Sequence, residues 1–93
     1  MTTLRRASFE DVVEAIRRER ARQDAKWGTI DEHPHSPDEW LAIVSAELGE
    51  AYHEWMAPDF AFDEFLREVV HVAATACACL EQHGLPQAPD CEG

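Results

Sequence analysis

The sequence predicts an all-α protein: three main helices, packed antiparallel into a bundle that oligomerisation completes. Three observations predict it. Apolar residues recur at three- and four-residue spacing through three separate segments, the pattern of one buried helix face. Residues that start or stop helices bound these segments, with Ser8 and Ser36-Pro37 ahead and Gly28, Gly84 and Pro86 behind. The apolar surface of the third segment is too wide for a three-helix monomer to cover. The chain has 93 residues, one domain's worth. A domain of this size buries only about 60–65% of its unfolded surface, so a lone monomer is marginal.

Residues 1–7 carry no periodic signal and are expected to be flexible. Ser8 is the expected N-cap of the first helix, with Asp11 three residues on. Phe9, Val12, Val13 and Ile16 keep helical spacing. Beyond Ile16 nearly every residue to Lys26 is polar, so this half faces water or something charged. Trp27-Gly28 ends the helix, Gly28 suiting the left-handed C′ position. Residues 29–37 hold two prolines and two histidines and read as a loop. Ser36, Pro37 and Glu39 then form a helix start, as N-cap, N1 and N3. The second helix runs to Trp55 or Met56. Trp40, Leu41, Val44, Leu48, Ala51, Tyr52 and Trp55 make its apolar stripe. Glu47, Glu50 and Glu54 lie on a neighbouring face, with Ile43 above them. Gly49 costs about 1 kcal/mol against alanine, which suggests close helix approach or room for a ligand. After a break at Ala57-Pro58-Asp59, the third helix is expected from Asp59 or Phe60 to His83. Its apolar residues, from Phe62 to Leu80, spread over more than half its circumference and point to packing on a second chain. Glu64, Glu68, His71 and Thr75 form its polar stripe. The helical domain is expected over residues 8–84, and a flexible acidic tail over 85–93.

The formal net charge is −11, from 19 acidic and 8 basic side chains. That excludes a nucleic-acid partner, whose phosphates need Lys and Arg. It leaves room for a small phosphorylated ligand, because bound cations invert the local field. No apolar run is long enough to span a membrane. The basic start, Met1 to Arg6, is not followed by an apolar stretch. A cytoplasmic protein without signal peptide is therefore expected. Cys77, Cys79 and Cys91 are odd in number and lack a CxxC, so reduced thiols are expected.

The chemistry-bearing residues come in two pairs. Glu47 and Glu50 on the second helix, and Glu68 and His71 on the third, are each three residues apart. Helical neighbours at that spacing share a face, with Cβ atoms about 5–6 Å apart. Each pair is flanked by apolar positions, so each lies near a buried seam. Two facing pairs can converge on one divalent cation, and carboxylates suit Mg²⁺ or Mn²⁺. A solvated acidic face is the plain alternative. Arg18, Arg22 and Lys26 at four-residue spacing can meet phosphates or pair with nearby acids. Trp27 can stack on a base or close a small core. His33 and His35 lie in the loop and could act as a lid.

The helix ending Glu19-Arg20-x-Arg22-Gln23-Asp24-x-Lys26-Trp27-Gly28 comes first. Trp40 then leads into Ala46-Glu47-Leu48-Gly49-Glu50-Ala51, and Glu68-Val69-Val70-His71-Val72-Ala73-Ala74 follows. Together these resemble the MazG-like proteins of the all-α nucleoside triphosphate pyrophosphohydrolase superfamily, in their short, phage-type form. The resemblance covers about residues 10–82. It implies helical dimers or tetramers whose bundles are shared between chains. It implies Mg²⁺ bound by an ExxE and an ExxD on successive helices, and cleavage of a (d)NTP to (d)NMP and pyrophosphate. By position, Glu47 and Glu50 match the ExxE and Glu68 opens the ExxD. Lys26 and Trp27 match a segment near the nucleotide. Two departures stand out: Ala46 replaces a frequent glutamate, and His71 replaces the Asp of ExxD. The second removes a negative charge, which could weaken Mg²⁺ binding, shift preference toward Mn²⁺ or a later transition metal, or cost the site its catalysis.

The expected function is thus metal-dependent nucleotide pyrophosphohydrolysis. Glu47, Glu50, Glu68 and His71 are the metal ligands, and Glu64 is the catalytic base. Arg22, Lys26 and Trp27 contact substrate. Two rivals remain. One is a catalytically silent MazG-like nucleotide-binding or interaction protein. The other is a transition-metal bundle with Glu and Glu-x-x-His ligands.

Overall fold

A computed structural model describes residues 5–87. The flexibility expected of residues 1–4 and 88–93, and the thiol expected at Cys91, lie outside the described residues. Among those described there are three helices and no strand: α1 (Phe9–Trp27), α2 (Pro37–Met56) and α3 (Phe62–His83). No helix among them is long and apolar enough to cross a membrane.

The helix starts follow from their capping residues. The Ser8 hydroxyl accepts the Asp11 N–H at 3.0 Å. At α2 the Ser36 hydroxyl accepts the Glu39 N–H, and the Glu39 carboxylate accepts the Ser36 N–H in return, at 3.4 and 2.8 Å. This reciprocal box satisfies two donors that a helix end otherwise leaves bare. α3 begins at Phe62, later than the expected Asp59 or Phe60, and no side chain caps it. Aromatic packing accounts for the delay: the Phe60 ring sits edge-on to Trp55 at 4.9 Å and 6.1 Å from Phe62. That contact precedes an extended Ala61, with φ −124° and ψ 114°, and not a helical turn. Gly28 has positive φ, as expected, but its ψ of 161° is extended rather than left-handed helical. A Cβ there would meet His33 Cδ2 at 2.5 Å, so only glycine lets the loop turn back over the end of α1.

α3 is the middle helix. It packs on α2 along one side and on α1 along the other, while α1 and α2 do not pack on each other. The alanine run explains how one helix serves two neighbours. Ala74 and Ala78 are buried together with Thr75, and small residues let both partners approach. Within the chain Ala74 and Ala78 are covered, while Phe62, Val69 and Leu80 of the wide apolar surface of α3 stay exposed. α2 also carries uncovered apolar residues: Leu41, Leu48, Tyr52, Trp55 and Met56 are all exposed. Of the expected α2 stripe, only Trp40 and Ala51 are buried. Gly49 is exposed and a Cβ there would meet nothing, so it serves no close approach within the chain. Cys77 and Cys79 are free, half-buried thiols.

The loop after α1 is pinned to the far end of α3. Gln82 Oε1 accepts both the His35 N–H and the Trp40 indole N–H, at 3.1 and 2.8 Å, and Gln82 Nε2 donates to the His35 carbonyl at 2.7 Å. His35 also packs edge-on against Trp40. The position of the α2 start is thereby tied to the end of α3, and the space between α1 and α2 stays open as a cleft floored by α3.

Candidate functional site

Three elements deliver four titratable side chains to the floor of that cleft. α3 supplies Glu68 and His71 on one face, three residues apart. α2 supplies Glu47 from its inward side, and α1 supplies Glu19. His71 is the hub: Nδ1 lies 3.2 Å from Glu68 Oε1 and 3.9 Å from Glu47 Oε1, while Nε2 lies 3.6 Å from Glu19 Oε2. One donor atom from each of Glu47, Glu68 and His71 falls within 4.8 Å of the others. Donors about 2.1 Å from one octahedral ion lie about 3 Å apart when adjacent and about 4.2 Å when opposite. The observed spacings need only small adjustment to enclose a cation.

The electrostatics point the same way. Glu47 Oε1 is buried and makes no hydrogen bond. Burial pushes the Glu47 carboxyl above its ordinary range, and the charges of Glu50, Glu68 and Glu19 add to the push, against a lowering by His71. An ionised carboxylate in this position has no hydrogen bond at its inner oxygen to offset its burial. Glu19, only 9% exposed, is treated oppositely. Arg22 donates to both its oxygens, at 2.8 and 2.7 Å. This fork is the main reason its carboxyl sits below the ordinary range, with His71 contributing against desolvation. Gln23 Nε2 donates to Thr75 Oγ1 at 3.3 Å, and that hydroxyl donates to the His71 carbonyl at 2.9 Å. The backbone beneath the hub is thus tied to α1.

Of the sequence-predicted ligands, the structure brings Glu47, Glu68 and His71 together. Glu50 is exposed and contributes its charge to Glu47 without joining the group. Glu64 is exposed and bonded to Arg67 at 2.6 Å, outside the group. Arg22 lies beside the cluster, held by Glu19. Lys26 sits over the Trp27 ring, 4.9 Å from its centroid, and Trp27 lines the neighbouring cavity. Arg18 is exposed and 3.4 Å from Glu14. His33 and His35 line the cavity, His35 fixed by Gln82 rather than free as a lid. Glu19 is the site residue that sequence reasoning passed over. A signal existed: extending the Val12–Ile16 spacing lands on Glu19 and Gln23, so the buried stripe of α1 continues in polar residues.

The cavity beside the cluster measures about 460 Å³. Trp27, Ile30, Trp40 and Ile43 give it apolar walls, and Glu19, Arg22 and Glu47 close its inner end. Apolar walls with a few polar groups at one end are the ordinary make-up of a small-molecule pocket. Compared with protein-family models, curated proteins and solved structures, the chain finds no match.

Proposed function

We propose that this protein is a metal-dependent nucleoside triphosphate pyrophosphohydrolase, built as an antiparallel MazG-like bundle that a second copy completes. It cleaves a (d)NTP to the monophosphate and pyrophosphate. The observation that carries the reading is the buried, unpartnered Glu47 Oε1 facing Glu68 and His71 within ligand distance. The donor set of carboxylates and one imidazole fits a small divalent cation, Mn²⁺ better than Mg²⁺ because of the nitrogen. When bound, such a cation supplies charge neutralisation for the triphosphate and Lewis acidity toward water.

The chain's own residues have distinct tasks. Glu47, Glu68 and His71 hold the cation, with Glu50 one turn away on the exposed side. Glu19, clamped by Arg22, faces His71 Nε2 and keeps Nδ1 directed at the carboxylates, the usual arrangement of a ligating histidine and its supporting acid. Trp27 and Trp40 bound the chamber for the nucleoside, and Lys26 lies at its rim. Glu64 belongs to this reading as a base only if its bond to Arg67 opens.

A catalytically silent nucleotide-binding relative is the second reading. It is favoured by His71 lying 3.6, 3.9 and 3.2 Å from Glu19, Glu47 and Glu68 at once, so that one imidazole serves all three acids as a polar partner without a metal. The two readings part in one experiment. Purified protein is incubated with a panel of dNTPs and NTPs, in Mg²⁺ and separately in Mn²⁺, and products are resolved by chromatography. The enzyme reading expects monophosphate plus pyrophosphate, faster in Mn²⁺, and a loss of at least about 100-fold in Glu47→Gln. The metal-free melting temperature of Glu47→Gln should not fall, because an ionised Glu47 is a cost to the fold. No turnover with either metal, in folded protein, overturns it. Hydrolysis that appears only in His71→Asp establishes the silent reading.

A further inference from the structure

On the side of the cluster away from the tryptophan chamber there is a second, more open cavity, between α1 and α3. We infer that it is a diphosphate-binding cleft, which receives the β- and γ-phosphates of the substrate and then the released pyrophosphate. This rests on the hydrolase reading for its place in the reaction, and on its own observations for the binding. The chain has 8 basic side chains against 19 acidic ones. Half of the basic ones, Arg5, Arg18, Arg22 and Arg67, line this one cavity. Only two acids, Glu19 and Asp63, share the lining. In a protein of net charge −11, gathering four guanidinium groups around one concavity creates a local field for anions.

The existing partners of these arginines leave them available. Arg18 and Arg67 reach Glu14 and Glu64, pairs in which all four side chains are well exposed and which are worth little in water. Arg5 bonds Asp63. Arg22 spends two donors on Glu19, and a guanidinium has five. A multiply charged anion therefore finds unspent donors from two helices in a fork geometry that suits phosphate oxygens. The cleft ends on Glu19 and His71, and Glu19 and Arg22 line both cavities. The order along the molecule is thus apolar chamber, metal cluster, arginine cleft. That matches nucleoside, reacting phosphate and leaving diphosphate.

The probe is inorganic pyrophosphate, titrated calorimetrically into the intact protein in EDTA and again in Mn²⁺. Wild-type protein should bind it without metal, with affinity falling as salt rises. Arg67→Gln and Arg18→Gln should each weaken metal-free binding about tenfold. Arg17→Gln, which removes the same charge outside the cleft, should change it little. Glu47→Gln should retain metal-free binding, since the arginines and not the cluster make it. Equal effects of Arg17→Gln and Arg67→Gln, or no binding by folded wild-type protein, overturn the cleft. The two readings fail separately. Pyrophosphate binding that depends on Arg18 and Arg67 in a protein without hydrolysis supports the cleft and sinks the enzyme. Hydrolysis with cleft variants unimpaired does the reverse.

Discussion

The two seams of α3 are built from different materials. Toward α2 the contact is aromatic and small-apolar: Trp55 packs on Phe65 and on Phe60 of the connector, and Ala51 is buried. Toward α1 it is polar. Arg20 forks onto Glu81 at 2.6 and 3.0 Å, Gln23 bonds Thr75, and Glu19 faces His71. The first seam holds the helices together by removing apolar surface from water. The second contributes little net stability, because water screens the Arg20–Glu81 pair at its half-exposed Glu81 and the more buried groups around Glu19 recover in contact roughly what they lost in hydration. A small protein with so thin a core has every reason to make both seams apolar. The polar groups of the α1 seam instead include Glu19, which faces His71 of the Glu47–Glu68–His71 group.

Removing the anchor of the apolar side should have the largest effect. Trp40 is 7% exposed and donates to Gln82. Trp40→Ala should destabilise by about 3–5 kcal/mol, read by urea denaturation. It leaves a cavity and orphans the Gln82 acceptor. A loss under about 1 kcal/mol would mean that the polar seam bears the fold after all.

Acid should separate the seams next. Glu19 and Glu81 are held below their ordinary value of 4.5, chiefly by Arg22 and Arg20. Their contribution is present above that value and is lost as pH falls through their depressed ones. Glu47 is raised above 4.5 by burial, so its ionisation costs stability at neutral pH and its protonation relieves the cost. Stability of the metal-free protein should therefore rise slightly on acidification from pH 7, then fall below about pH 4.5. In Glu47→Gln the initial rise should be gone. The Glu81 share is modest, roughly 1 kcal/mol or less, because that side chain is half exposed and water screens it.

The smallest effect probes what lies outside the chain. Gly49 faces open space, so Gly49→Ala should stabilise the isolated protein by up to about 1 kcal/mol through helix propensity. Thermal melts over a range of protein concentrations check this. If the variant instead lowers stability only at high concentration, a second copy packs closely at Gly49, beside the exposed Leu48 and Tyr52.

The sequence announced the helices because their ends are written locally. Ser8, Ser36-Pro37-Glu39 and the glycines at 28 and 84 act on backbone groups a few residues away. The pairing of Glu68 with His71 was legible for the same reason, and their convergence with Glu47 followed once α2 and α3 were made neighbours. What could not be read locally depended on tertiary choice. Glu50 and Glu47 share a helix face by spacing, yet α3 approaches from one side and leaves Glu50 in water. Glu19 looked like one more charge on a wet helix until α3 was seen between α1 and α2. The start of α3 slipped because Phe60 prefers Trp55 to a helical turn.

Because α1 touches α3 but not α2, and hangs on a single connector between Gly28 and Ser36, it is an exchangeable part. No hydrogen bond or ion pair ties it to α2 among the described residues, so two chains can trade their first helices and preserve every α1–α3 bond while altering only the connector. Such domain swapping is a low-cost route to a dimer. In the swapped form Glu19 and Arg22 of one chain would face His71 of the other. The cluster would then be a shared property of two molecules, assembled or dismantled by dilution alone.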